Sequence, residues 1–249
     1  MNFLNQSKKT IHVFSKLMRY LKISDIEGAD YEQLKTRYMR ELTTHLGLQI
    51  QVKNPGAAAE KTPTIFVSNH ISYLDIPVIM CKVPQASFVS KAEVAAWPLI
   101  GRAAQRIGTV FVRRGCKKSR QAVRESIAQA IIKERKSIAV FPSGTTKIVK
   151  SESWRRGVFE IAQEYKIPVI PIRIMYAPLR KAAYIDKDNL VLHLFTLMKG
   201  APLKVEVEFG SPRYISDAPQ DATFIQQWCE EGMPSKLLED SVAVPILQP

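Results

Sequence analysis

Between residues 64 and 209, short apolar runs rich in β-branched residues alternate with stretches whose apolar positions recur at helical steps, and that alternation leaves few folds open. Residues 64–68, 87–90, 107–112, 138–141, 168–175, 190–197 and 203–209 read as strands. Helical stretches fall among them at 76–81, up to Arg106, and at 119–135 and 157–165. Strands without a polar face belong in a sheet covered on both sides. The expected class is therefore α/β, with a single mostly parallel or mixed sheet covered by helices. In such sheets, sites form in the loops beyond the strand ends.

Ahead of this body the periodicity is helical only. From Lys8 to Ile23, Ile11, Val13, Phe14, Leu17, Met18, Tyr20 and Leu21 fill one side of a helix, while Lys8, Lys9, Lys16, Arg19 and Lys22 fill the other. A second helix, through Tyr31, Leu34, Tyr38, Leu42 and Leu46, is expected to end at Gly47, and residues 54–62 look like a link. The expected organisation is an amphipathic two-helix appendage over 1–54 and an α/β domain over 55–249. A further helix is expected around 224–229.

Charge narrows the partners. Lys and Arg total 36 against 23 for Asp and Glu, a net charge of +13, which favours polyanions: nucleic acid, an anionic bilayer, or phosphorylated and CoA-type substrates. The aromatic residues are not interleaved with basic ones along a strand, so no nucleic-acid partner is expected. No run approaches the roughly 18 apolar residues of a spanning helix, and the N-terminus lacks a secretory signal pattern. Composition alone does not choose among the remaining partners. Three cysteines without CxxC spacing suggest neither a disulfide frame nor a zinc site. No metal or cofactor is expected. His12, His45 and His193 read as structural or surface residues, the last in a strand.

The stretch Val67-Ser68-Asn69-His70-Ile71-Ser72-Tyr73-Leu74-Asp75 puts an imidazole and a carboxylate at the exit of a buried strand. On one regular helix a five-residue step turns through about 140°, so the two side chains meet only if the chain bends between them. A second reading is structural: Ser72-x-x-Asp75 matches a helix capping box and Pro77 suits a first helical turn.

Here the sequence resembles the glycerolipid acyltransferase family that includes 1-acylglycerol-3-phosphate acyltransferases. Its His-x4-Asp block is matched by Asn69, His70 and Asp75, and its second block by Gly108-Thr109-Val110-Phe111-Val112-Arg113-Arg114. The third, Phe-Pro-Glu-Gly-Thr-Arg, is matched in part by Phe141-Pro142-Ser143-Gly144-Thr145-Thr146, and the fourth by Ile167-Pro168-Val169-Ile170-Pro171-Ile172. Ser90-Lys91, Trp97-Pro98-Leu99-Ile100-Gly101 and Trp154-Arg155-Arg156-Gly157 agree as linking features. Order and spacing over residues 64 to about 175, rather than any one block, carry the likeness.

The resemblance implies O-acyl transfer from acyl-CoA or acyl carrier protein, as co-substrate, to a lyso-lipid hydroxyl. Residues 55–249 are then the expected catalytic domain. Because such acceptors live in bilayers, the amphipathic helices of 1–54 are expected to act as an anchor on an anionic membrane surface, with the protein peripheral on the cytoplasmic face of a membrane. His70 is then the general base and Asp75 its orienting partner. Lys91, Arg114, Ser143, Gly144, Thr145 and Thr146 are the expected substrate-binding residues, Arg114 as an oxyanion clamp. Backbone N–H groups near Gly144 are the candidates for the oxyanion site. Ser143 and Thr146 stand where the family usually has Glu and Arg. That departure leaves open a 1-acylglycerol-3-phosphate-type acceptor with Lys147 or Lys150 compensating, a lyso-aminolipid such as lyso-ornithine lipid, or a non-catalytic lipid-binding protein of the same fold.

Overall fold

A computed structural model describes residues 15, 18–22, 31–59, 63–97, 100–112, 117–185, 188–199 and 201–236. The strands are β1 (Leu48–Lys53), β2 (Ile65–Ser68), β3 (Ala86–Lys91), β4 (Val110–Val112), β5 (Ser137–Val140), β6 (Val169–Ala177) and β7 (Leu203–Phe209). The helices are α1 (Tyr31–His45), α2 (Asp75–Met80), α3 (Ile100–Arg106), α4 (Lys117–Ile132), α5 (Gly157–Tyr165), α6 (Leu179–Ala182), α7 (Leu190–Lys199) and α8 (Ala218–Cys229).

All seven strands form one sheet in the order β1-β7-β6-β2-β5-β3-β4. Parallel pairing runs from β6 through β2, β5 and β3 to β4, so these five strands end on one edge. The β6–β7 pair is antiparallel, and β1 runs parallel to β7. The sheet is thus mixed.

Alternation along β2 explains why this strand carries no polar face. Ile65 and Val67 enter one core with Ile131, Phe159 and Ile225 from α4, α5 and α8, whereas Phe66 enters the other with residues of α1, α2 and α7. A side chain buried as fully as Phe66 or Phe159 contributes about 1.5–3 kcal/mol. The centre of the sheet is thus buried on both faces, and the site grows from it.

Two expectations are corrected. Residues 190–197 are not a strand: Leu190–Lys199 is helical, with the Asn189 side chain accepting from Leu192 N at 3.1 Å and its carbonyl accepting from His193 N at 2.8 Å. The capping Asn and a Leu/Met-rich run of ten residues outweigh the apparent alternation. Nor are residues 1–54 purely helical, because Leu48–Lys53 is a sheet strand whose Leu48 pairs with Leu203. Tyr38, Met39 and Leu46 of the preceding helical segment lie in the core, so the boundary expected at 54/55 cuts through one body. The second helix does end at Gly47, which adopts a φ of +70°.

Most of the first amphipathic segment lies outside the described residues. Residues 18–22 are helical, and there Tyr20 and Leu21 are buried, Tyr20 stacking on Tyr38 at 4.8 Å. Among the described residues, no helix is long and apolar enough to cross a membrane.

Candidate active site

The β2–β6 ladder ends with Ser68 opposite Ile172. Beyond it the Asn69 side chain takes over from the backbone. Its amide nitrogen donates to Ile174 O at 2.8 Å, and its carbonyl oxygen accepts from Ile174 N at 2.9 Å. One carboxamide thus stands in for a peptide unit, satisfying both buried groups of β6 while the main chain leaves the sheet. The next residue is His70.

The turn predicted between His70 and Asp75 is present. His70 Nδ1 lies 2.7 Å from Asp75 Oδ2, which also accepts from Ile71 N at 2.8 Å and Ser72 N at 3.0 Å. The His–Asp pair is thus formed, whereas of the capping box only the bond from Ser72 N to Asp75 is present: α2 begins after Leu74 with no side-chain cap, and Ser72 Oγ has no hydrogen-bond partner. Asp75 begins α2 and is fully buried, so its charge is held by hydrogen bonds rather than water. Asp75 Oδ1 accepts from Tyr176 OH at 2.7 Å. Burial, and then the adjacent Asp75 charge, push the Tyr176 phenol well above its ordinary value, which keeps it a donor.

With Nδ1–H given to the carboxylate, the imidazole presents a lone pair at Nε2. The ring stacks on Phe141 with centroids 3.9 Å apart and planes 10° off parallel. Lys147 N donates to His70 O at 2.8 Å. The first and third sequence blocks are therefore joined directly, ring to ring and backbone to backbone.

The remaining expected residues lie as follows. Ser143 Oγ donates to Thr145 O at 3.0 Å, inside its own turn. Gly144 has a φ of +77°, and its N–H donates to Phe141 O at 3.0 Å, closing the turn. Thr145 is exposed and Thr146 half-buried on the same loop. Lys91 is exposed at the end of β3, on the edge from which His70 emerges, with its Cα opposite Val112 of β4. Arg114 lies outside the described residues.

Sequence reasoning missed Tyr176, although a tyrosine near the end of a largely buried strand is a usable signal. It also missed a polar contact behind the His70 loop. Tyr73 OH lies 2.9 Å from His193 Nδ1, and His193 Nε2 lies 3.2 Å from Lys181 O, with Tyr184 edge-on to Tyr73 at 5.2 Å. His193 is thus a structural residue, in a helix rather than a strand; burial pushes its imidazole below its ordinary value. Glu230 is a third omission. Buried at the end of α8, it accepts from Ser151 N, Trp154 Nε1 and Gln226 Nε2 at 3.0–3.1 Å, anchoring the far side of the third-block loop.

Comparison with known proteins agrees with this geometry. The family profile described as Acyltransferase matches residues 49–175, from β1 to β6. A lyso-ornithine lipid O-acyltransferase of Pseudomonas aeruginosa is 34% identical over 194 residues, covering 75% of this chain and 74% of that protein. The chloroplastic 1-acyl-sn-glycerol-3-phosphate acyltransferase BAT2 of Brassica napus is 32% identical over 115 residues, 46% of this chain and 33% of that protein. The crystal structure of the 1-acyl-sn-glycerophosphate acyltransferase PlsC from Thermotoga maritima aligns with a TM-score of 0.65 over 94% of this chain and 96% of that one. At 18% identity that likeness speaks for the fold. With the profile running from β1 into β6 and including the His-x4-Asp turn, and with a third of the residues shared over three quarters of the chain, this protein belongs to the acyltransferase family.

Proposed function

We propose that the chain moves a fatty acyl group from a thioester, acyl-CoA or acyl carrier protein, to the hydroxyl of a lysophospholipid-like acceptor of the 1-acylglycerol-3-phosphate type. The observation that carries this reading is the 2.7 Å contact between His70 Nδ1 and Asp75 Oδ2, which leaves Nε2 without a protein partner among the described residues. The acceptor oxygen attacks the thioester carbonyl carbon while Nε2 takes its proton. The tetrahedral intermediate then expels the thiolate, and the imidazolium returns the proton to sulfur. Asp75 holds the ring tautomer and offsets the transient positive charge. Base assistance of this kind contributes roughly 10²–10⁴ in rate, or about 3–5 kcal/mol. Lys91 and Arg114 are proposed to hold the anionic part of the substrates.

A second acceptor, a lyso-aminolipid of the ornithine type, is favoured by Ser143 and Thr146, which remove a carboxylate and a guanidinium from the third block. The lyso-ornithine lipid relative also aligns over more of this chain than the plastid enzyme does. The deciding experiment incubates purified protein with labelled acyl-CoA and a panel containing lysophosphatidic acid and lyso-ornithine lipid. His70→Ala should abolish product while vesicle binding persists. A wild-type protein that acylates nothing in the panel would leave only lipid binding.

Access to such acceptors is proposed through peripheral attachment of the basic N-terminal segment to the cytoplasmic face of a membrane, each near-surface cation adding about 1 kcal/mol on an anionic bilayer. Because Tyr20 and Leu21 are core residues, truncation would damage the body. Replacing Lys8, Lys9 and Lys16 by Gln tests the idea instead: binding to phosphatidylserine-containing vesicles should weaken, and unchanged binding would reject it.

A further inference from the structure

The turn beside His70 carries a cation that the sequence blocks do not account for. A Cβ built on Gly144 would lie 2.8 Å from Arg155 Cζ, 3.0 Å from Nη2 and 3.1 Å from Nε. A point directly above Cζ at that height is about 3.1 Å from nitrogens bonded at about 1.3 Å, so the guanidinium lies face-on over Gly144. Its N–H edges point along the plane and are not consumed by the contact. Only a residue without a side chain, at the positive φ that this turn requires, leaves room for that arrangement.

The root of this side chain is fixed while its head is not engaged. Arg155 N donates to Pro142 O at 3.1 Å, and Trp154 N donates to Gln226 Oε1 at 3.0 Å. The Trp154 indole is held by the buried Glu230. Among the described residues the exposed guanidinium has no hydrogen bond or ion pair with another side chain. No carboxylate occurs from Phe141 to Val149, where Ser143 replaces the usual acid. The turn also closes through Gly144 N to Phe141 O, and Phe141 stacks on the His70 ring. A β-turn spans under about 7 Å between its end Cα atoms, so the cation stands one turn from the imidazole.

We propose that Arg155 is a further acceptor-headgroup clamp beside Lys91 and Arg114, its free N–H edge binding the oxyanion of the incoming lyso-lipid, a phosphate monoester or a carboxylate. It supplies the charge that Thr146 does not. Guanidinium suits this role because two parallel N–H bonds fix orientation as well as charge, which an ammonium does not provide. The assignment rests on the acyl-transfer reading and deepens it.

The test uses the full chain with Arg155→Gln, Arg155→Lys and, as a control for general basicity, Arg156→Gln at the neighbouring exposed arginine. Binding of lysophosphatidic acid and lyso-ornithine lipid is measured without acyl donor, and kinetics are then measured on both lipids and on neutral monoacylglycerol. Arg155→Gln should weaken binding and raise KM about tenfold or more for whichever anionic lipid the wild type accepts. Arg155→Lys should recover part of this, and Arg156→Gln should match wild type. Loss with lysophosphatidic acid marks a phosphate site and loss with lyso-ornithine lipid a carboxylate site. Unchanged binding and KM in Arg155→Gln, equal loss from Arg156→Gln, or equal loss on monoacylglycerol would overturn the proposal. Arg155-dependent binding without any product would count against acyl transfer and leave the anion site standing.

Discussion

Tyr176 donates to Asp75 Oδ1 at 2.7 Å, so the carboxylate that faces His70 with one oxygen is held from behind by a phenol on β6 with the other. Tyr176→Phe deletes only that hydroxyl and leaves Oδ1 buried without a donor. An unpaired buried acceptor costs about 1–3 kcal/mol, and a carboxylate no longer held from behind positions the His70 ring less well. A fall in kcat/KM of about tenfold, near 1.4 kcal/mol, is expected. Steady-state kinetics of wild type and variant check this, and equal kcat/KM would mean the phenol serves packing alone.

Asn69→Ala should be costly out of proportion to its size. It strands Ile174 N and Ile174 O in the interior, each unsatisfied group costing about 1–3 kcal/mol. Urea denaturation should show a loss of about 2–5 kcal/mol on the same scale. A loss below half a kcal/mol would indicate that water or Ser68 replaces the carboxamide.

Phe141→Ala removes the face on which the His70 ring lies. With Asp75 still gripping Nδ1, the base is retained but free to swing about that bond. The expected result is a fall in kcat of about tenfold, near 1.4 kcal/mol, with acceptor KM little changed. Phe141→Leu should fall between. Unaltered kcat in both would show that Asp75 alone sets the ring.

Asp221, at the start of α8, gives a pH test of stability independent of catalysis. Burial pushes its carboxyl up, but the N–H groups of Asp217 and Ser216 and the Arg213 guanidinium outweigh that and hold it below its ordinary value. A depressed native value adds stability above the unfolded value of about 3.9 and loses it as pH falls through the native one. Asp221→Asn should therefore cost about 1–3 kcal/mol at pH 7, and the gap should close below about pH 4. Denaturation curves at pH 7 and pH 3 decide it; a gap independent of pH would assign the effect to geometry.

The parts of this fold readable from sequence are those written locally. The 157–165 helix, the β2 exit and the His70–Asp75 bend each depend on residues within a few positions of one another, and order and spacing of the blocks carried the family. Tyr176 was not readable in that way because its partner lies 101 residues away, and only the β2–β6 register brings the two together. The placement of Arg155 is not readable locally either, since its guanidinium fits over Gly144 only because that residue has no side chain. Strand β1 was overlooked although Leu48-Gln49-Ile50-Gln51-Val52 alternates cleanly, because a preceding helix drew the boundary past it. The 190–199 segment failed for the opposite reason: an apolar run of that length satisfies both periods, and Asn189 was the arbiter.

Strand β6 touches the reactive turn twice, through the backbone of Ile174 and the side chain of Tyr176. Since side chains alternate at every residue, a slip of one position would deny Asp75 its phenol and aim Ile174 past the carboxamide together. Mispairing during folding and loss of turnover are thereby one fault with one cause. A population of molecules that had collapsed with β6 out of step would reveal itself as inert protein, and assays of active fraction would double as a measure of how faithfully the chain had aligned its strands.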